Sequence, residues 1–299
     1  MRAQSVIRAD GTPSAQHRNI ATPQLCNNGS EMSDTFKVAA IQMLSEPAVE
    51  ANLEAARRLI AEAAQKGARL VSLPEYFCIF GKRERDKVAV REPDGRGPIQ
   101  QFLSDTAREY GLWIVGGTVP LESSDPNKVM NSCLVYNDRG ERVARYDKIH
   151  MFGYATETER FHESGTIEPG TTPVAIDSPF GRLALSICYD VRFPELYRRL
   201  APMDLIFVPS AFTATTGPVH WEILLRARAI ENLAYVVAAA QGGRHANGRL
   251  THGHAMIVDP WGKVLGCLPE GPGVVVAEID PAHQARLRAS MPALEHRVL

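Results

Sequence analysis

The sequence has no CxxC pair, and its five cysteines, Cys26, Cys78, Cys133, Cys188 and Cys267, are odd in number and far apart. That spacing gives neither a zinc knuckle nor a disulfide framework. Unpaired cysteines point to a reducing compartment, so a cytoplasmic protein is expected. No GxxxxGKS or GxxxxGKT loop occurs, and Gly116-Gly117 lies inside an apolar stretch, which argues against a phosphate cradle. No apolar run approaches the roughly 20 residues of a membrane helix. Neither sign of charge dominates: 33 Lys and Arg against 34 Asp and Glu leave a formal net charge of -1. Such a balance gives no electrostatic reason to expect nucleic acid or an anionic membrane as partner. His252 and His254 precede a strand with no third ligand nearby, so neither a metal nor a cofactor is expected.

What is present is a chain of 299 residues, 44% hydrophobic and 22% charged, enough for one large or two small domains with a sizeable core. Residues 1–34 are rich in Ser, Thr, Asn, Gln, Gly and Pro without apolar periodicity, and read as a disordered extension, with Met32 as an alternative start. From Phe36 onward the pattern is regular, and residues 35–299 are expected to form one domain. Strands are expected at 36–43, 69–73, 112–119, 183–187, 205–208, 234–240 and 274–279. Helices are expected at 52–66, 99–110, 194–200, 220–232 and 281–290, the second closed by Gly111 and the third opened by Pro194. Hairpins join 130–136 to 141–147 around Asn137-Asp138-Arg139-Gly140, and 254–259 to 263–267 around Pro260-Trp261-Gly262. This alternation implies sheets covered by helices.

Three segments share one form, in which an apolar strand ends and a reactive side chain follows at once: Leu-Pro-Glu75, Tyr-Asp-Lys148 and Ser-Ile-Cys188. Ligands in open α/β sheets collect at the carboxyl ends of strands, so a carboxylate, an ammonium and a thiol could share one cleft. Taken singly, each has a plainer reading as a surface acid, a solvated lysine or a core cysteine. Arg192 and Glu195 are expected to form a structural ion pair.

The surrounding motifs change that weighting. LVSLPEYF around Glu75, RYDKIHMFG around Lys148 and LSICYDVRFPELYR around Cys188, with FVPSAFTATTGPVHWEILLRARAIEN and HAMIVDPWG, resemble the nitrilase superfamily, also called the carbon–nitrogen hydrolases. The resemblance covers about residues 36–298. It implies an α/β fold of the four-layer αββα sandwich type, with a Glu–Lys–Cys catalytic set. It also implies an auxiliary glutamate, which FHESGTIEPG places at Glu163, no metal, and a homodimer or higher homo-oligomer. Within the superfamily the motifs look most like the Nit branch, which holds deaminated-glutathione amidase and ω-amidase. Residues 152–163, which would line the pocket, are polar and not diagnostic of that branch.

The chemistry expected from this set is thiol hydrolysis of a small linear amide. A thiolate attacks more readily than a thiol, so Glu75 is expected to take the Cys188 proton. Lys148 and the backbone N–H of Tyr189 are expected to stabilise the oxyanion. The loop after Ser210, with Phe212 and Thr213, is expected to contact the acyl group, and its hydroxyls and amides suit a polar, anionic one. Alternative activities are N-carbamoyl amino acid hydrolysis and nitrile hydrolysis, although nitrilases usually carry Trp-Glu where this chain has Tyr189-Asp190. A reading from another class is a catalytically silent binding scaffold, which would be free to lose one of the three residues.

Overall fold

Val38 and Ala40 of the strand Phe36–Met43 face one apolar core, and Ala39, Ile41 and Met43 face another. Alternate residues of a strand point to opposite faces, so this strand is buried on both sides, as its near-continuous apolar run requires. The computed structural model describes residues 34–157 and 160–298. The extension expected over residues 1–34 therefore lies outside the described residues, apart from Asp34.

Phe36–Met43 pairs in parallel with Ala68–Ser72, which pairs in parallel with Trp113–Val115. Antiparallel strands, Val129–Tyr136 among them, extend this first sheet, and Gly273–Ile279 lies against Phe36–Met43. The second sheet is built the same way. Gly181–Leu185, Leu205–Phe207 and Tyr235–Ala238 run parallel, flanked by Ala175–Ser178 on one side and by Ala255–Val258 with Val264–Leu268 on the other.

The two sheets stack through a core that takes Val38, Leu70 and Val135 from the first and Leu185, Val237 and Ile257 from the second. Helices Val49–Gln65 and Pro98–Tyr110 cover the outer face of the first sheet through Ala56, Ile60, Phe102 and Leu103. Helices Pro194–Leu200 and Gly217–Asn232 cover the second through Leu196, Tyr197, Trp221 and Leu225. The layers are thus helix, sheet, sheet, helix: the αββα sandwich. Among the described residues no helix is long and apolar enough to cross a membrane.

Two expected strands are broken, both for tertiary reasons. Residues 112–119 form Trp113–Val115 and Val119–Glu122, because Gly117 turns the chain at φ 56. A Cβ at Gly117 would lie 2.2 Å from the Pro74 carbonyl oxygen, so the chain that carries Glu75 passes directly against this turn. Residues 234–240 form Tyr235–Ala238 in the second sheet and Ala240–Arg244 in the first, so the chain crosses between sheets at Ala239.

Candidate active site

Each of the three expected side chains stands where a strand gives way to a turn. Glu75 follows Ala68–Ser72, Lys148 follows Arg142–Asp147, and Cys188 follows Gly181–Leu185 and opens the 3₁₀ turn Cys188–Arg192. Cys188 has φ 48, a left-handed conformation that costs a non-glycine residue about 1–2 kcal/mol. The turn is held by the Cys188 N–H, which donates to the Pro209 carbonyl at 2.9 Å, and by Asp190. The buried Asp190 carboxylate accepts from Ile187 N at 2.9 Å, Tyr146 Oη at 2.7 Å and His150 N at 3.0 Å, and its Oδ1 lies 2.7 Å from His150 Nδ1. Residues on both sides of Lys148 are thereby tied to the residue just before Cys188.

The charged groups meet out of water. Lys148 is fully buried and Glu75 is 1% exposed. Lys148 Nζ donates to Glu75 Oε1 at 2.9 Å and to Glu163 Oε1 and Oε2 at 2.9 and 2.8 Å. Those contacts use all three ammonium protons. Glu75 Oε1 also accepts from Asn131 Nδ2 at 2.9 Å, and Oε2 from the Ala211 N–H at 3.1 Å. The Cys188 thiol lines the same hollow as this carboxyl. Glu163 is fixed in turn by the Tyr76 hydroxyl at 3.0 Å and the Phe152 N–H at 2.7 Å.

Burial raises Glu75 above the usual carboxylate value, against the pull of Lys148, and Glu163 adds to the rise. Burial likewise pushes the Cys188 thiol well up, reinforced by Glu75 and opposed by Lys148. Burial works against the charge on Lys148, but Glu163 and Glu75 together outweigh it and hold the ammonium well above its ordinary value. The resting site therefore pairs a firmly charged ammonium with a neutral thiol beside a carboxylate of raised basicity. Moving the proton from sulfur to Glu75 leaves the net charge of the cluster unchanged. This matters where charge separation is costly.

A hollow of about 350 Å³ opens over the thiol, lined by Glu75, Tyr189, Arg192, Phe212, Thr213 and Arg249 among others. Tyr189 is the second residue of the 3₁₀ turn, so its amide has no i→i−3 partner inside the turn. Phe212 packs on Trp221 at 4.7 Å between ring centres. The Thr213 hydroxyl is paired with that of Thr216 at 2.9 Å and accepts from the Thr216 N–H, so it braces its own loop.

Two expectations need correction. Arg192 and Glu195 do not pair. Glu195 is exposed, while the Arg192 guanidinium lies over the Phe212 and Tyr189 rings at 5.3 and 5.7 Å. Pro194 starts the helix between them, so they are not neighbours on one helical face. Residues 152–163 are not simply a polar loop either. Gly153–Ala155 and Arg160–His162 form a hairpin whose Phe161 lies 5.4 Å from Phe152, and Phe152 lies 5.2 Å from Tyr189. His252 and His254 stack on each other at 4.1 Å, before the strand Ala255–Val258.

Sequence reasoning missed Asn131, Tyr76 and Arg249, and it placed the loop from Ala211 at the cleft without the bond from the Ala211 N–H to Glu75. Asn131 had a readable signal, a polar residue within the apolar run VMNSCLVY, since a buried amide needs partners. The role of Ala211 is carried by its backbone and leaves no mark on the sequence.

The carbon-nitrogen hydrolase family model matches residues 37–289. A deaminated glutathione amidase of Synechocystis sp. is 43% identical over 269 residues, covering 88% of this chain and 98% of that protein. One from Mus musculus is 37% identical over 300 residues, covering 94% and 91%. The crystal structure of Saccharomyces cerevisiae Nit3, a member of branch 10 of the nitrilase superfamily, superimposes with a TM-score of 0.79 at 33% identity, covering 90% of this chain and 98% of that one.

Proposed function

The chain belongs to the carbon–nitrogen hydrolase family and is an amidase, and we propose that it cleaves its amide through a Cys188 thioester with Glu75 as general base and acid. The observation that carries this reading is the buried junction in which the carboxyl group that holds the ammonium lines one hollow with the thiol. Glu75 takes the thiol proton, and the Cys188 sulfur attacks the amide carbonyl carbon. The carbonyl oxygen becomes an oxyanion, which the Lys148 ammonium stabilises by its charge and the Tyr189 N–H by a hydrogen bond. Loss of one such donor typically raises the barrier by about 3–4 kcal/mol. Collapse of the tetrahedral species expels the amine, which takes its proton from Glu75. Water then gives a proton to Glu75 and attacks the thioester. The acid leaves, and the proton returns from Glu75 to sulfur. Glu163 holds Lys148 in place and borders the path of the incoming water.

The substrate class proposed is a small linear amide bearing carboxylates, with deaminated glutathione ahead of simple ω-amides. Support comes from the relatives named for that activity and from the two arginines, Arg192 and Arg249, that line the hollow. Phe212 and Thr213 are proposed to shape the acyl side. Residues 35–299 are proposed as the catalytic domain. The free Cys78, Cys133, Cys188 and Cys267 favour a reducing, cytoplasmic setting. Val219 and Ile223, exposed on the helix Gly217–Asn232, offer an apolar face to a second copy in a homo-oligomer.

The test is kcat/KM across deaminated glutathione, 2-oxoglutaramate, an N-carbamoyl amino acid, an aliphatic amide and an arylacetonitrile, with mass spectrometry of the enzyme during turnover. An acyl adduct on Cys188 and a preference for the oxo-amides are expected. A nitrile or carbamoyl compound ahead of both by more than about tenfold, about 1.4 kcal/mol in transition-state binding, overturns the substrate assignment. Full activity in Cys188→Ala overturns the mechanism.

A further inference from the structure

Arg249 lines the hollow at the tip of a hairpin whose second arm is tied to the loop that begins at Ala211, through the Ala214 N–H to the Leu250 carbonyl at 3.1 Å and the His252 N–H to the Phe212 carbonyl at 2.8 Å. Ala240–Arg244 and Leu250–His252 form the hairpin, with Gly248 turning at φ 84. Asn247 clamps the tip in two directions. Its Oδ1 accepts from the Arg249 N–H at 3.0 Å, and its Nδ2 donates to the Gly81 carbonyl at 2.8 Å. His245 stacks on Phe80 at 3.6 Å between ring centres. The Arg249 guanidinium lies over Phe161 at 4.8 Å and over Phe80 at 5.2 Å.

Its electrostatic partner is arranged so that it can be released. Arg249 Nη1 donates to Glu84 Oε1 at 2.8 Å, while Lys87 Nζ donates to Glu84 Oε2 at 2.9 Å. Glu84 thus bridges two cations and keeps one if Arg249 turns to another anion. A guanidinium carries five donors, and this ion pair uses one of them. A second hollow of about 300 Å³, lined by Tyr76, Phe80, Arg83, Glu84, Lys87 and Arg249 among others, shares Tyr76 and Arg249 with the first. Arg83 is paired with Asp86, while Arg249 and Lys87 share the single carboxylate of Glu84, so the hollow favours the anionic end of a ligand. Tyr76 directly follows Glu75, the proposed proton donor to the departing amine, and its hydroxyl reaches Glu163 beside the proposed water path, so the opening past Tyr76 is assigned to the leaving group.

We infer that Arg249, with Glu84 as its resting counter-ion, forms a leaving-group subsite that binds a carboxylate at the far end of the amine released by hydrolysis. The subsite selects peptide-like amides with an anionic leaving group over primary amides of the same acyl part. This inference rests on the reading of the site given above. A planar guanidinium suits the task, because it pairs with a carboxylate through two parallel hydrogen bonds.

Three amides with one acyl half test it: one whose leaving amine ends in a free carboxylate, the same compound as its terminal carboxamide, and the primary amide. Arg249→Gln should lower kcat/KM for the carboxylate form at least tenfold more than for the carboxamide, chiefly through KM. Arg249→Lys should fall between Arg249→Gln and the unaltered enzyme. Glu84→Gln, which removes the competing anion, should lower KM for the carboxylate form alone. Equal losses on all three amides, or no loss on any, overturn the subsite. If the unaltered enzyme turns over none of them, it is the amidase reading of the site that fails. The subsite is then decided by calorimetry on Cys188→Ala, in which tighter binding of the carboxylate form than of the carboxamide must vanish with Arg249→Gln. Affinity that is the same for both forms, or that survives the substitution, overturns it.

Discussion

Lys148 meets both carboxylate oxygens of Glu163, at 2.9 and 2.8 Å, but only one oxygen of Glu75. The ammonium is therefore anchored chiefly by Glu163, and Glu75 is left with an oxygen directed elsewhere, toward the Ala211 N–H at 3.1 Å. This asymmetry divides the labour between the two acids. One fixes the cation, and the other can change protonation while the cation stays in place.

Glu163→Gln should therefore lower kcat far more than it raises KM. The variant keeps the volume but sets an amide NH2 against the Lys148 ammonium whichever way it turns, since both Glu163 oxygens accept from Lys148. Breaking a buried pair on one side costs about 3–5 kcal/mol. The expected result is a drop in kcat of about a hundredfold or more, with a lowered melting temperature. Steady-state kinetics checks it, and a loss confined to KM would assign Glu163 to ground-state substrate binding.

The pH profile should carry the sign of the Glu75 shift. With Glu75 as the proposed base, hydrolysis needs it ionised in the free enzyme, and its folded value is raised above 4.5, chiefly by burial. Activity should thus rise with pH through a midpoint above 4.5. Lys148 is raised well above 10.5, so its charge is retained through the alkaline range and no fall in kcat/KM is expected up to about pH 9. A midpoint at or below 4.5, or a decline between pH 7 and 9, would contradict the assignment of the two groups.

Much of this site is legible in the sequence because its key residues are local events. Glu75, Lys148 and Cys188 each sit at the end of an apolar run, and that pattern survives without knowledge of the fold. The partners that orient them are not local. Ala211 contributes a backbone N–H to an acid 136 positions earlier. Arg249 reaches the hollow because Asn247 is pinned to Gly81, 166 positions away. Gly116-Gly117 reads as part of a strand because its neighbours are apolar, while the reason for glycine at position 117 is the approach of the Pro74 carbonyl.

That approach yields a prediction of its own. Gly117→Ala should cost the φ 56 strain of about 1–2 kcal/mol and also push Pro74, and with it Glu75, out of place. Gly111→Ala is the matched comparison, since Gly111 has φ 62 and no heavy atom within 4 Å of the point where a Cβ would lie. Both variants should lose stability in denaturant titration, but Gly117→Ala alone should lose about tenfold or more in kcat. Comparable turnover in the two variants would show that the Glu75 loop absorbs the displacement.

Asp190 should act as a positioning residue for Cys188, separable from its part in stability. Its Oδ2 accepts from the Ile187 N–H at 2.9 Å and from the Tyr146 hydroxyl at 2.7 Å, while Oδ1 serves His150. In Asp190→Asn the amide NH2 must face one of these donors. With the NH2 at the Oδ2 position the Tyr146 hydroxyl can turn to accept but the Ile187 N–H cannot, and with it at the Oδ1 position the His150 N–H is the one left. Leaving either backbone N–H unpaired costs about 1–3 kcal/mol and loosens the backbone beside Cys188 or Lys148. Tyr146→Phe removes one hydrogen bond to the same carboxylate but keeps the bond to Ile187. Asp190→Asn should therefore lower kcat by about ten- to a hundredfold, whereas Tyr146→Phe, with a similar fall in melting temperature, should stay within about threefold of the unaltered enzyme. Labelling of Cys188 by iodoacetamide should slow in Asp190→Asn and hold in Tyr146→Phe, because the thiol in the first no longer lies in register with Glu75. If kcat in the two variants instead tracks melting temperature along one line, Asp190 serves only the fold.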